Sequence, residues 1–198
     1  VVFETFRPDF AEARTFAAWR LVTLRARQCA GVITHSQLAA DAFVRAGVPS
    51  SRVLVAHNGH APSLMEPALG RAEARARAGL PGDRPLVVYA GHAGPQKGSH
   101  ALLALAAALP EIRLALVGVD EGTAEHAWLT REAAAAGAGN VLLLPRVGVA
   151  DVATYLYAAD CLIVPPTDAP LRRYGRTVLP IKLFPYMAAG RPILAPAL

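Results

Sequence analysis

The chain has 198 residues, 54% hydrophobic and 18% charged, which is enough for one domain and part of another. The charged fraction lies below the about 25% of an average globular protein, so disorder driven by charge is excluded. The net charge is +5, and of the 20 basic residues only Lys97 and Lys182 are lysines; a chain of this sign suits nucleic acid, an anionic membrane surface or phosphorylated small molecules.

Taken in chain order, Val1-Val2-Phe3 opens as a strand-like run. Residues 31–35 read as a second strand. Ser36 then caps a helix carrying Leu38, Ala42 and Phe43 on one face, ended by Gly47 and Pro49. Residues 52–56 form a further strand, closed by the turn pair Asn58-Gly59. Residues 60–84 hold Pro62, Pro67 and Pro81 and a short Arg/Ala helix at 70–79, a linker-like composition. The expected division is therefore the end of a first Rossmann-like domain at 1–60, a linker at 61–84 and a second Rossmann-like domain at 85–198.

From residue 85 the alternation is cleaner. Strands are expected at 86–90, 113–118, 141–145, 161–165 and 192–195, with helices at about 99–109, 123–136, 150–158 and 180–189. Ser99 and Thr123 are N-cap types, and Pro110, Gly137 and Gly190 stop helices. The strands are near-continuous apolar runs, as in strands buried on both faces. Right-handed crossovers then give an α/β fold with a parallel, doubly wound sheet of order 3-2-1-4-5. The strand-type run at 192–195 lies close to the last residue, and the chain is expected to be a fragment of a longer protein. No apolar run approaches the roughly 20 residues of a spanning helix, and no signal peptide is visible. Cys29 and Cys161 lie far apart and form no metal or redox motif, so a reducing, cytoplasmic setting is expected.

In such a sheet the ligand crevice opens between the loops after the first and fourth strands. The first loop is Gly91-His92-Ala93-Gly94-Pro95-Gln96-Lys97-Gly98, glycine-rich and leading into a helix N-terminus. Backbone N–H groups, the positive end of a helix and an ammonium suit a phosphate together. The loop is neither a Walker A loop nor a G-x-G-x-x-G fingerprint. The fourth loop, 165–180, carries Arg172, Arg173 and Arg176, and Lys182 follows just inside the next helix. Either this is a solvated arginine loop, or both lysines and these arginines converge on one crevice and hold a diphosphate.

These runs resemble the group 1 (family 4) glycosyltransferases of GT-B fold. Val88-Tyr89-Ala90-Gly91-His92, with Lys97-Gly98, is similar to the opening of that family's donor site. Leu114-Ala115-Leu116-Val117-Gly118 resembles its next strand, and Ala158-Ala159-Asp160-Cys161-Leu162-Ile163-Val164-Pro165 its "AD-apolar-P" segment. The run from Pro180-Ile181-Lys182-Leu183-Phe184-Pro185-Tyr186-Met187 to Ala188-Ala189-Gly190-Arg191-Pro192 resembles the family's "PxKxFEYMAxGxP" segment. Residues 31–36 and 53–59 look like the last strands of the family's N-terminal domain.

The resemblance implies transfer of a sugar, with retention, from a nucleotide diphosphate sugar to a glycan, lipid-linked or small-molecule acceptor. The donor would lie on the C-terminal domain and the acceptor on the N-terminal one. It further implies that Lys97 neutralises donor phosphate beside Gly91 and His92, and that Arg146 and Val147 contact the base, partly through main chain. Arg176, Thr177 and Lys182 complete the donor-binding set, with no cofactor and no metal beyond the donor itself. The expected location is cytoplasmic, including the cytoplasmic face of a membrane. The family's two glutamates are replaced here by Thr177 and Pro185, its usual arginine by His92, and an N-terminal histidine by Phe6. In a helix spanning 180–189, Pro185 would cost about 3 kcal/mol, so the helix is expected either to start late or to kink there. A sugar-nucleotide epimerase and a donor-binding module without activity remain alternative readings.

Other residues carry less. His57, His60, His100 and His126 lack metal spacing and read as solvated. Asp120 reads as a loop-end surface acid, and Trp19 and Trp128 as packing residues. The arginines show no aromatic interleaving, so nucleic acid is not an expected partner.

Overall fold

We describe the protein from a computed structural model, which describes residues 2–5, 30–166 and 180–196. The described residues fall into two compact units, residues 2–5, 30–58 and Pro180 in the first and residues 59–166 and 181–196 in the second.

The first unit is a three-stranded parallel sheet, β1 (Val2–Thr5), β2 (Gly31–Thr34) and β3 (Val53–Val55), in that order. Glu4 stands opposite Ile33, and Ile33 opposite Leu54. Helix α1 (Gln37–Arg45) follows β2 and is capped by Ser36, whose Oγ accepts the Ala39 N–H at 3.2 Å. That bond satisfies one of the N–H groups that a helix start leaves without a partner. The helix buries Ala39, Ala40, Ala42 and Phe43, and Phe43 meets the edge of Phe3 with 6.2 Å between ring centroids. Leu38, expected on that face, is exposed, because the buried arc begins one residue later.

The second unit is a five-stranded parallel sheet. Its strands are β4 (Leu86–Ala90), β5 (Arg113–Val117), β6 (Val141–Leu144), β7 (Cys161–Ile163) and β8 (Ile193–Leu194), in the order β6-β5-β4-β7-β8. Numbered within the unit this is 3-2-1-4-5, as the sequence predicts. Among the described residues, five helices belong to it: α2 (Arg71–Arg77), α3 (Ser99–Ala108), α4 (Ala124–Ala136), α5 (Val149–Ala158) and α6 (Leu183–Ala188).

The sheet is apolar on both faces. Leu86 and Val88 of β4, Ala115 and Val117 of β5 and Leu162 of β7 point to one face, with Leu156 and Tyr186 over them. Tyr89, Leu114, Leu116 and Ile163 point to the other, under Leu102, Leu103 and Leu129. Each fully buried Leu contributes about 1.5–3 kcal/mol of burial. This two-period alternation within uniformly apolar strands is why the sequence shows no polar face. At the far end of α3, the Asn140 amide donates to the carbonyls of Ala106, Leu109 and Ile112 at 2.9–3.0 Å, closing the return into β5.

The segment 61–84, expected as a linker, is packed into this second unit. Met65, Ala74 and Leu80 join its core, and the Tyr157 hydroxyl donates to the Met65 carbonyl at 2.9 Å. Three prolines gave the segment a linker composition, but its few apolar residues fall where they meet α5. Among the described residues, no helix is long and apolar enough to cross a membrane.

Candidate functional site

The C-terminal ends of parallel strands leave their loops on one side of a sheet, and here β4 leads into the Gly91 loop. Gly91 has φ +130°, and a Cβ there would lie 3.3 Å from Lys182 Nζ. Its N–H donates to the Val117 carbonyl at 2.8 Å, which holds the turn to the end of β5. The chain then makes a single 3-10 turn at Pro95–Lys97 and enters α3 through Gly98.

Three side chains outside the turn fix it. The Tyr89 hydroxyl donates to the His92 carbonyl at 2.6 Å. Glu125, in the first turn of α4, accepts the Ala93 N–H at 2.6 Å, and its second oxygen lies 3.7 Å from His92 Nδ1. The buried Ser99 hydroxyl donates to the carbonyls of Ala93 and Gly94. The sequence offers Ser99 as the cap of α3; that position belongs to Gly98, and the serine side chain ties the loop instead. Thr123 does cap α4, accepting the His126 N–H at 3.2 Å.

Lys182 stands at the N-cap position of α6 and reaches back over β4. Its Nζ lies 3.7 Å from the centroid of the Tyr89 ring. Burial, reinforced by the charge of Lys97, pushes the Lys182 ammonium down to about 8. Burial, with Glu125 nearby, raises the Tyr89 phenol to about 12, so it stays a donor at neutral pH. Lys97 is exposed, at the end of the 3-10 turn. The structure thus brings Gly91, His92, Lys97 and Lys182 to one place, where two like charges oppose each other beside a helix start. An anion bridging them would relieve that repulsion.

Beyond β6, the Arg146 N–H donates to Asp120 Oδ1 at 2.7 Å, and its Nε lies 3.7 Å from Oδ2. Asp120 is therefore the acid that holds the segment carrying Arg146, while Val147 packs partly buried against the core. Arg172, Arg173, Arg176 and Thr177 lie outside the described residues. Pro185 is the third residue of α6, which starts at Leu183 rather than near 180. In a first turn the missing N–H has no intrahelical partner to lose, so the expected cost does not arise.

Of the remaining residues, His57 and His60 are exposed. His100 stacks edge-on against Trp128 at 5.1 Å. Among the described residues, no group of three His, Cys, Asp or Glu is placed to hold a metal ion. Sequence reasoning missed Tyr89 and Glu125. Tyr89 reads as one more apolar strand residue, and nothing local links Glu125 to an amide 32 positions earlier.

Residues 70–197 match the family described as glycosyl transferases, group 1. Among solved structures, HepE from Anabaena in complex with UDP and glucose is 23% identical, with a TM-score of 0.67, and the match covers 98% of this chain and 52% of that one. Sucrose-phosphate synthase from Thermosynechococcus elongatus is also 23% identical, with a TM-score of 0.65 and coverage of 98% and 49%. The C-terminal domain of LpcC, a group 1 glycosyl transferase from Francisella tularensis, is 14% identical, with a TM-score of 0.53 and coverage of 69% and 70%. At these identities the likeness is one of fold. The chain spans about half the length of the HepE and sucrose-phosphate synthase chains. No protein of curated function matches the sequence.

Proposed function

The chain belongs to the group 1 glycosyl transferases, and from that premise we propose that the Gly91 loop with Lys97 and Lys182 binds the diphosphate of a nucleotide sugar. The observation that carries this reading is that Lys182 Nζ would lie 3.3 Å from a Cβ at the Gly91 turn, on the loop that also bears the chain's other lysine, Lys97, just before α3. The whole protein would transfer the sugar, with retention, to a glycan, lipid-linked or small-molecule acceptor. As the sugar departs, charge grows on the leaving diphosphate. Two ammonium groups and the start of α3, already in place, stabilise that charge more than they stabilise the bound donor. Arg146 and Val147 would face the base, with Asp120 setting the position of residue 146. The chemistry belongs to the cytoplasm, and the positive chain suits a membrane face bearing anionic lipid.

UDP is a suitable first probe, since it is bound in the Anabaena HepE structure. Lys97→Ala is expected to weaken UDP binding by about 1.5–3 kcal/mol, roughly ten- to a hundred-fold, the scale of a hydrogen bond to a charged group. Thermal stability should hardly change, because Lys97 is exposed. Unchanged affinity by calorimetry, against UDP, GDP and ADP alike, overturns the assignment.

Pro185 favours a second reading, a donor-binding module without turnover, because it places no carboxylate where the family resemblance expects one. Pro185→Glu is expected to raise affinity for UDP-glucose while changing stability by no more than about 0.5 kcal/mol, as for substitutions away from the core. A gain in stability without a gain in affinity would show that residue 185 does not face the donor. Hydrolysis or transfer of the donor by the unmodified protein decides against the module.

A further inference from the structure

We propose that Tyr89 is a positioning residue for the diphosphate, its ring seating the Lys182 ammonium beside the Gly91 turn while its hydroxyl locks that turn. The inference rests on the donor-binding reading and gives a role to a residue that this reading leaves unused.

Tyr89 is 1% exposed, so its ring is held by the core of the second unit. Lys182 Nζ sits 3.7 Å from the ring centroid, in cation–π range, and such a contact strengthens as water is excluded. A lysine side chain is among the costliest to order, and Lys97 repels this one. Without a seat, the ammonium would turn away from the second positive charge and into water. The ring holds it instead over the position a Gly91 side chain would fill.

The same residue acts on the turn from its other end. Its hydroxyl reaches the His92 carbonyl, one residue past Gly91. One rigid side chain thus sets both halves of the anion site, the glycine turn and the lysine. The charged and titratable groups around it are Lys97 and Lys182 on one side. Glu125 also acts on Tyr89, and Tyr89 in turn on Tyr186, whose hydroxyl accepts the Ala90 N–H at 2.8 Å.

The test separates the ring from the hydroxyl. Reductive methylation with carbon-13 labels both lysines of the chain, and Lys97→Arg assigns them. The Lys182 methyl signal should be shifted upfield by the ring current in the wild type and in Tyr89→Phe, and should lose that shift in Tyr89→Leu. UDP affinity is then followed from about pH 7 to about pH 10, the range in which a lysine lowered in this way loses its proton. Wild-type affinity should fall as the pH rises through about 8, where free Lys182 deprotonates. Tyr89→Phe should keep that midpoint and lose about five-fold in affinity at every pH, the worth of one hydrogen bond. Tyr89→Leu should move the midpoint down by about half a unit or more, because nothing then favours the charged lysine. Tyr89→Met serves as a second ring-free variant if leucine prevents folding. Equal losses in both classes of variant with an unmoved midpoint would mean packing alone, and would overturn the proposal. If the wild type binds none of UDP, GDP and ADP, the donor reading fails, and the positioning role fails with it. The methyl signal then reports on the seat separately.

Discussion

Asp160→Ala is expected to lower the stability of the second unit by about 3 kcal/mol, the upper end for hydrogen bonds to a charged group. Asp160 joins three elements. Its carboxylate accepts the Leu86 N–H at 2.7 Å at the start of β4, and pairs with Arg71 and Arg75 of α2. Its own N–H donates back to the Leu86 carbonyl at 2.9 Å. Arg75 carries most of the expected loss. Its side chain is only 12% exposed, and it also donates to the Ala158 carbonyl, whereas Arg71 is 56% exposed and contributes as surface pairs do.

Burial pushes the Asp160 carboxyl up, but the Leu86 N–H and the Arg75 and Arg71 charges outweigh it, so the group ionises below its ordinary value. The stability it contributes is therefore complete above the ordinary carboxylate pKa and is lost as the pH falls through the lowered one. Asp160→Asn should remove that part of the acid sensitivity while keeping one acceptor for Leu86. Urea unfolding at neutral pH and near pH 3 measures both effects. A loss under about 1 kcal/mol for the alanine variant would mean that α2 is held by its apolar contacts alone.

Gly98→Ala is expected to cost about 2–5 kcal/mol and to weaken UDP binding along with it. Two penalties add. At φ +77° an L-residue pays about 1–2 kcal/mol. The new Cβ would also stand 2.5 Å from the Pro166 carbonyl oxygen and 2.9 Å from Pro165 Cβ. Neither neighbour is a flexible side-chain end, so backbone must shift, which typically costs a further 1–3 kcal/mol or so. The shift would fall between the start of α3 and the residues after β7, beside Lys97. Gly122→Ala is the control: its φ is +78°, but open space surrounds it, so only the first penalty applies. Equal losses at the two positions in denaturant titration would refute the close-approach argument.

Much of the second unit was legible from local patterns. Five apolar runs separated by helical segments specify parallel strands, and right-handed crossovers leave few orders to choose from. The caps Ser36 and Thr123 read correctly because a cap is a local event, a side chain bonding an amide three residues on. Lys97 and Lys182 stood out by their rarity among arginines. What escaped was everything that depends on distant partners. Pro185 itself points to a late start or a kink, and the structure shows the late start at Leu183, whereas the prolines of 61–84 disguise a packed segment. Ser99 turns back to the loop because Gly98 already supplies the left-handed entry to α3. Asp160 meets Arg71 across 89 residues, and Glu125 meets Ala93 across 32. The sequence by itself determined the strands, their order and the glycine turn that follows β4, because these follow from periodicity and chain-local sterics. Only the tertiary structure decided which side chains hold that turn in shape, since a hydrogen bond between remote residues leaves no pattern along the chain.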